Sequence, residues 1–123
     1  MKMFEIIFYQ TSDGHCEFWD YLEEMRISSA TNKDSRIQYN QILLYIQLLE
    51  ENGLHLPTNI LKHIKKDIWE LRPGKNRILL LNLGDAFLLL HHFRKSSQKT
   101  PKMEILKAHK EIADYSKRKD IQI

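Results

Sequence analysis

The chain is 123 residues long, 42% hydrophobic and 28% charged, the proportions of one ordinary globular domain over 1–123 and too short for two separate cores. No apolar run approaches the roughly 18 residues that cross a bilayer, and Glu5 breaks the N-terminal MKMFEIIFYQ too early for a signal peptide, so a cytoplasmic protein away from membranes is expected. The net charge of +3 is unevenly placed: six basic residues stand against Asp67 and Glu70 between Lys62 and Arg77, and nine against Glu104, Glu111 and Asp114 between Arg94 and Lys119. Positive potential gathered late in the chain suits a polyanion, although lysines on solvated helix faces would give the same count.

Met3 to Tyr9, rich in Phe and Ile, reads as a first strand that Thr11, Ser12, Asp13 and Gly14 bring to an end. A helix follows over about His15–Arg26, where Phe18, Tyr21, Leu22 and Met25 recur at helical spacing and Glu17, Asp20, Glu23 and Glu24 take the other side. Cys16, the only cysteine, fits there as a small packing residue; with no second cysteine it forms no internal disulfide. Beyond a polar link a longer helix runs from about Lys33 to Asn52 on the stripe Ile37, Leu44, Tyr45, Leu48 and Leu49, and Gly53 supplies its stop.

Leu54–Ile60 reads as an irregular crossing marked by Pro57. Three β-like runs come next. Ile68–Arg72 alternates Trp69 and Leu71 with Glu70 and Arg72, and the turn PGKN leads into Arg77–Leu81. Gly84 and Asp85 then signal a hairpin into Phe87–Phe93. The last two runs are apolar on both faces, as central strands should be. A final helix is expected from Pro101 to about Lys117, with Thr100 as its N-cap and Pro101 in its first position, and the tail Ser116–Ile123 reads as mobile.

Strand parity puts His91, Phe93 and Lys95 on one face of the last run and His92 and Arg94 on the other, so the adjacent histidines cannot share a task. Arg72 and Arg77 flank the PGKN turn, and a hairpin there brings both guanidiniums to one end of the sheet. With His91 and Lys95 they would form a cation cluster around one acid–base group, suited to clamping a phosphodiester and stabilising charge in its transition state. Each residue also has a plainer reading. Arg72 or Arg77 can be ion-paired, with Glu70 available as partner; His91 can be packed and bonded to backbone; Phe93 and Trp69 can be core rather than base-stacking platforms. The remaining histidines show no HxH or HxxxH spacing, so a metal site is not expected, and neither a glycine-rich phosphate loop nor GxSxG is present.

Trp69–Arg72 (WELR), Arg77–Leu81 (RILLL) and Leu89–Pro101 (LLHHFRKSSQKTP) together resemble the phage Gp49-like branch of HigB toxins, within the RelE/ParE toxin superfamily. The likeness is most specific over residues 67–108. One departure is Ser96, which stands where the family pattern has the second lysine of a pair. The resemblance implies an α+β, RelE-like compact domain: a mostly antiparallel sheet of about four strands, two N-terminal helices and one C-terminal helix. It implies the toxin of a type II toxin–antitoxin system, a ribosome-dependent endoribonuclease that cleaves translated mRNA without a metal or other cofactor, through the RNA 2′-hydroxyl. Arg72 and Arg77 would hold phosphate, His91 or Lys95 would move protons with His92 in reserve, and Lys62, Lys65, Phe93 and Lys99 would bind RNA. The implied partners are a HigA-type helix-turn-helix antitoxin, the ribosome with its mRNA, and operator DNA through the antitoxin complex. Two alternatives are a nucleic-acid-binding module without catalysis and a gyrase-directed, ParE-like toxin.

Overall fold

A computed structural model describes residues 3–119. Strand β1 (Glu5–Phe8) leads into helices α1 (Glu17–Ser28) and α2 (Lys33–Asn52), and a short 3-10 turn at Gly53–His55 leads to β2 (Leu61–Lys65), β3 (Ile68–Leu71), β4 (Asn76–Asn82), β5 (Ala86–Arg94) and α3 (Lys102–Lys119). The five strands form one sheet in the order β1-β5-β4-β3-β2. Only the β1–β5 pairing is parallel; the other three are antiparallel. The fold is therefore α+β, with one strand more than the sequence suggested.

That extra strand is β2, hidden inside LKHIK. Leu61 reaches the core on one face of the sheet and Ile64, three residues on, the core on the other, as alternation requires, and a bulge between His63 and Lys65 shifts the register beyond. With a single apolar residue on each face, LKHIK lacks the repeat at every second position that normally reveals a half-buried strand.

Local signals set most element ends. Asn32 caps α2 by accepting the Ser35 N–H at 2.9 Å. Gly53 ends α2 at φ 59°, where a side chain would be strained. The C-terminal helix differs at both ends from the sequence expectation. Pro101, not Thr100, offers the first helical carbonyl, to Ile105 N–H at 3.3 Å, because the Thr100 hydroxyl is drawn instead to a carboxylate on the sheet. Residues Ser116–Lys119, expected to be mobile, continue α3, and Arg118 there donates to Asp114 at 2.9 Å; the rest of that tail lies outside the described residues.

Two cores sandwich the sheet. Helices α1 and α2 cover one face with Phe18, Leu22, Ile42 and Leu49, which meet Leu71, Ile78, Leu80, Phe87 and Leu89. Helix α3 covers the other with Ala108 and Tyr115, against Ile68, Leu79, Leu81, Leu88 and Leu90. β4 and β5 lie at the centre and are buried on both sides, as their unbroken apolar runs require. Fully burying each such Leu or Ile is worth about 1.5–3 kcal/mol, so this pair anchors everything attached to it. A second bulge opposes Leu79 to His91 and Leu80 to Leu89, leaving Leu90 unpaired. It turns Leu90 and His91 toward the same helix, and it sets the facing of every later residue of β5.

Candidate functional site

Glu70 is the centre of the α3-side face near the turn that joins β3 and β4. It is 1% exposed and stands opposite Leu79 in the ladder, on the face that Arg72 and Arg77 also occupy. Its Oε1 lies 3.2 Å from Arg72 Nε and 3.8 Å from Arg77 Nε. Its Oε2 accepts the Thr100 hydroxyl at 2.7 Å. One buried carboxylate thus gathers two guanidiniums and ties down the loop before α3.

Arg77 is fixed further by donating from Nη1 to the carbonyls of Gly74 at 2.8 Å and Asn76 at 2.9 Å. Burial, then the neighbouring Arg72 charge, lower its pKa from the ordinary value, though an arginine keeps its proton throughout the physiological range. Arg72 is held less completely. Its Nε is buried and, despite the ion pair, makes no hydrogen bond, which leaves a donor unsatisfied in the cluster. Phe93, Lys95 and Lys99 line a small hollow with Arg77, Glu70 and Thr100. Lys62 is the register partner of Glu70 on β2 and so flanks the cluster across the strands, whereas Lys65 lies at the far end of that strand, opposite Ile68. Ser96 borders the same hollow.

His91 shares this face but is turned into α3. Its Nδ1 is 2.5 Å from Glu111 Oε1 and its Nε2 is 2.9 Å from Glu104 Oε1, and the ring is 1% exposed. Two carboxylate oxygens on both ring nitrogens require either the doubly protonated ring or a proton on one carboxyl group. Either way the imidazole is committed to a structural trio, and neither nitrogen points free into the hollow. His92 is on the opposite face, stacked on Tyr21 at 3.8 Å between ring centroids and bonded through Nε2 to Asn76 Oδ1 at 2.8 Å. Burial, with the nearby Arg94 and His91, pushes its pKa down to about 4, so the ring is neutral. Asn76 also accepts from Tyr21 at 3.0 Å and donates to Gln38 at 3.1 Å, and Arg94 donates to the same Gln38 oxygen at 2.6 Å. This side-chain network joins the sheet to α1 and α2 and, among the described residues, meets the arginine pair only through the Asn76 carbonyl, which accepts from Arg77.

The structure therefore brings together Arg72, Arg77, Phe93, Lys95 and Lys99, with Lys62 beside them. It sets His91 next to the group without a free nitrogen, and it separates His92 from it. Sequence reading treated Glu70 as an optional partner for an arginine and missed that it serves both arginines and Thr100. The signal was present in the parity of Glu70 and Arg72, with Arg77 arriving across a four-residue turn. Chemically, the arrangement offers planar donors for a phosphate, mobile ammonium groups around it, and a hydroxyl and carboxylate that fix the geometry.

The fold and the site define an α+β sheet domain that gathers cations over a buried carboxylate. A family model narrows it: the description "Phage derived protein Gp49-like (DUF891)" matches residues 31–113, well over half of the chain, and the protein belongs to that family. The family is toxin-like and associated with RelE-like toxins, which is consistent with the toxin of a toxin–antitoxin pair. No curated protein matches the chain. No helix among the described residues is long and apolar enough to cross a membrane.

Proposed function

We propose that the protein is a HigB-type, RelE-like toxin that acts in the cytoplasm as a ribosome-dependent endoribonuclease and is neutralised by a HigA-type helix-turn-helix antitoxin, the complex of the two binding operator DNA. The observation that carries this reading is the pairing of Arg72 and Arg77 on Glu70 beneath the lysine-bearing loop. In the proposed reaction the RNA 2′-oxygen attacks the adjacent phosphorus, the bond from phosphorus to the 5′-oxygen breaks, and a cyclic phosphate and a 5′-hydroxyl result. The 2′-hydroxyl proton leaves to a base and a proton is delivered to the 5′-oxygen. Arg72 and Arg77 clamp the phosphate oxygens and stabilise the charge of the phosphorane. Lys95, which lines the hollow, serves proton transfer better than His91, whose nitrogens are both engaged. Lys62, Lys99 and Phe93 guide the strand by charge and stacking, and Lys65 supplies longer-range attraction.

Induction of the protein should arrest growth, and Arg72→Ala or Arg77→Ala should relieve the arrest. Loss of one such donor lowers the rate by about 10²–10³. Undiminished toxicity in both variants would remove this site from the mechanism. The engagement of both His91 nitrogens favours a second reading, in which the face binds RNA without cleaving it. Intact transcripts after induction, with salt-sensitive RNA binding retained, would select that reading. DNA-damage signalling without transcript cleavage would instead point to a gyrase-directed toxin.

A further inference from the structure

Asp34, Ile37, Gln38 and Gln41 follow one another at helical spacing, so they form one stripe of α2, and that stripe faces the turn between β3 and β4. A cleft of about 340 Å³ lies between them and is closed by Gly74, Lys75 and Arg94. It backs onto the cation hollow. The Gly74 carbonyl accepts from Arg77, which lines the hollow, at 2.8 Å, while the other side of the same glycine lies under the Gln41 amide, where an added Cβ would be 2.7 Å from Gln41 Oε1. Glycine, at φ 61°, thus leaves a low rim between the two sites. The end of β5 flanks the same turn, with Arg94 directed to α2 and Lys95 to the hollow, and Lys95 N–H donates to the Lys75 carbonyl at 2.8 Å.

The two amides of the cleft are in different states. Gln38 is fully engaged: its Nε2 donates to Asp34 at 2.7 Å, and its Oε1 accepts from Asn76 at 3.1 Å and from Arg94 at 2.6 Å. It thereby fixes the Arg94 guanidinium through one nitrogen and leaves the others open. Gln41 is half-buried, and among the described residues its amide makes no hydrogen bond, so a donor and an acceptor stand side by side and unused. Ile37, 55% exposed, is an apolar wall beside it. Lys75 is exposed and forms no ion pair among the described residues. The one carboxylate, Asp34, is held by Gln38 and stands against two cations, Lys75 and Arg94.

We propose that this cleft is a base-binding subsite: an RNA strand with one phosphate on Arg72 and Arg77 crosses the rim at Gly74 and sets a neighbouring, unstacked base against Ile37 and Gln41. Lys75 and Arg94 hold the phosphate of that nucleotide from the exposed side of the cleft. Single-stranded RNA is read in this way, by splayed bases whose edges meet side-chain donors and acceptors, and an amide offers both at once. An acidic peptide suits the cleft less, since it would match the two cations but leave the Gln41 donor–acceptor pair and the Ile37 wall unused and bring further carboxylates to Asp34. The subsite rests on the proposed RNA substrate but not on cleavage, because the cleft and the cation hollow share no residue.

The test is fluorescence anisotropy on the intact protein at low salt, with hexanucleotides of adenine, cytosine or uracil and a hexamer without bases, all 2′-O-methylated so that none can be cleaved through the 2′-oxygen. The wild-type chain should favour one of the three bases by about fivefold or more, the discrimination of one well-placed pair of hydrogen bonds. Gln41→Leu should bring the three within about twofold of one another while its affinity for the baseless hexamer and its urea unfolding midpoint stay those of the wild type. Gln41→Glu, which keeps the shape and loses the donor, should also abolish the preference. Arg72→Ala should weaken all four ligands alike. Equal affinity of the wild type for the three bases, a preference that survives in Gln41→Leu, or no binding at about 1 mM would overturn the subsite. A preference lost in Gln41→Leu beside unchanged binding in Arg72→Ala would uphold the subsite and count against the cation hollow alone. Displacement of the RNA by hexaglutamate from the wild type but not from Gln41→Leu would assign the cleft to an acidic peptide and overturn the proposal.

Discussion

Glu70 lowers the charge of the very cluster that is proposed to attract phosphate, and its burial explains why it is needed. Arg77 is nearly enclosed, and without a carboxylate it would face Arg72 with no counter-charge. Removing one partner of a buried pair leaves the other uncompensated, which is more damaging than never having built the pair. We expect Glu70→Gln to destabilise the fold by about 1–3 kcal/mol in urea unfolding and to reduce RNA cleavage even where folding is restored by temperature. An unchanged unfolding midpoint together with unchanged cleavage would contradict this role. His92 gives a second test at the same scale. Its folded pKa of about 4 lies below the ordinary 6.5, so the unfolded chain takes up a proton that the folded chain refuses. The stability this provides is complete above pH 6.5 and is lost as pH falls toward 4. After a discount for the partial exposure of the ring it is on the order of 2 kcal/mol. His92→Gln should therefore flatten the decline of unfolding midpoint across that range, and parallel profiles for the two proteins would refute the assignment.

At the scale of elements, two bulges and a glycine decide what the sequence showed and what it concealed. β3, β4, β5 and the two N-terminal helices were legible because a period or an unbroken apolar run marks them, although the stripe read for α2 was out of phase: Ile37 and Leu44 are exposed, and Ile42 and Leu49 are its buried residues. β2 was not, since Leu61 and Ile64 go singly to opposite cores and its lysines resemble a loop. Parity separated His91 from His92 correctly, but no local pattern could show that Glu104 and Glu111, a helix away, close on His91. The same holds for Thr100, whose capping role is displaced by Glu70, thirty residues earlier. Arg72 and Arg77 converged as the turn between them required, because a four-residue reversal leaves little choice. Gly53 supplies a prediction of this kind. At φ 59° a side chain there is strained, and an added Cβ would lie 2.7 Å from the Phe4 ring. Gly14, at φ 83°, has nothing within 4 Å of that position. We expect Gly53→Ala to lose about 1–3 kcal/mol and Gly14→Ala clearly less, by thermal or urea unfolding. Equal losses would mean that the Phe4 contact is irrelevant.

The whole molecule is polarised. Arg72, Arg77, Lys95 and Lys99 meet over one end of the sheet. The fold supports this gathering, since β4 and β5 form a buried centre from whose end the cation site extends. The claim that matters most is that Arg72 and Arg77 serve RNA cleavage. Transcript 5′ ends on ribosomes can be mapped shortly after induction of the wild-type chain, Arg72→Ala and Arg77→Ala at matched protein levels. New 5′ ends within translated codons in the wild type, falling by about 10²-fold or more in both variants, are the expected result. The same ends at the same abundance in all three strains, or none in any of them, would contradict it.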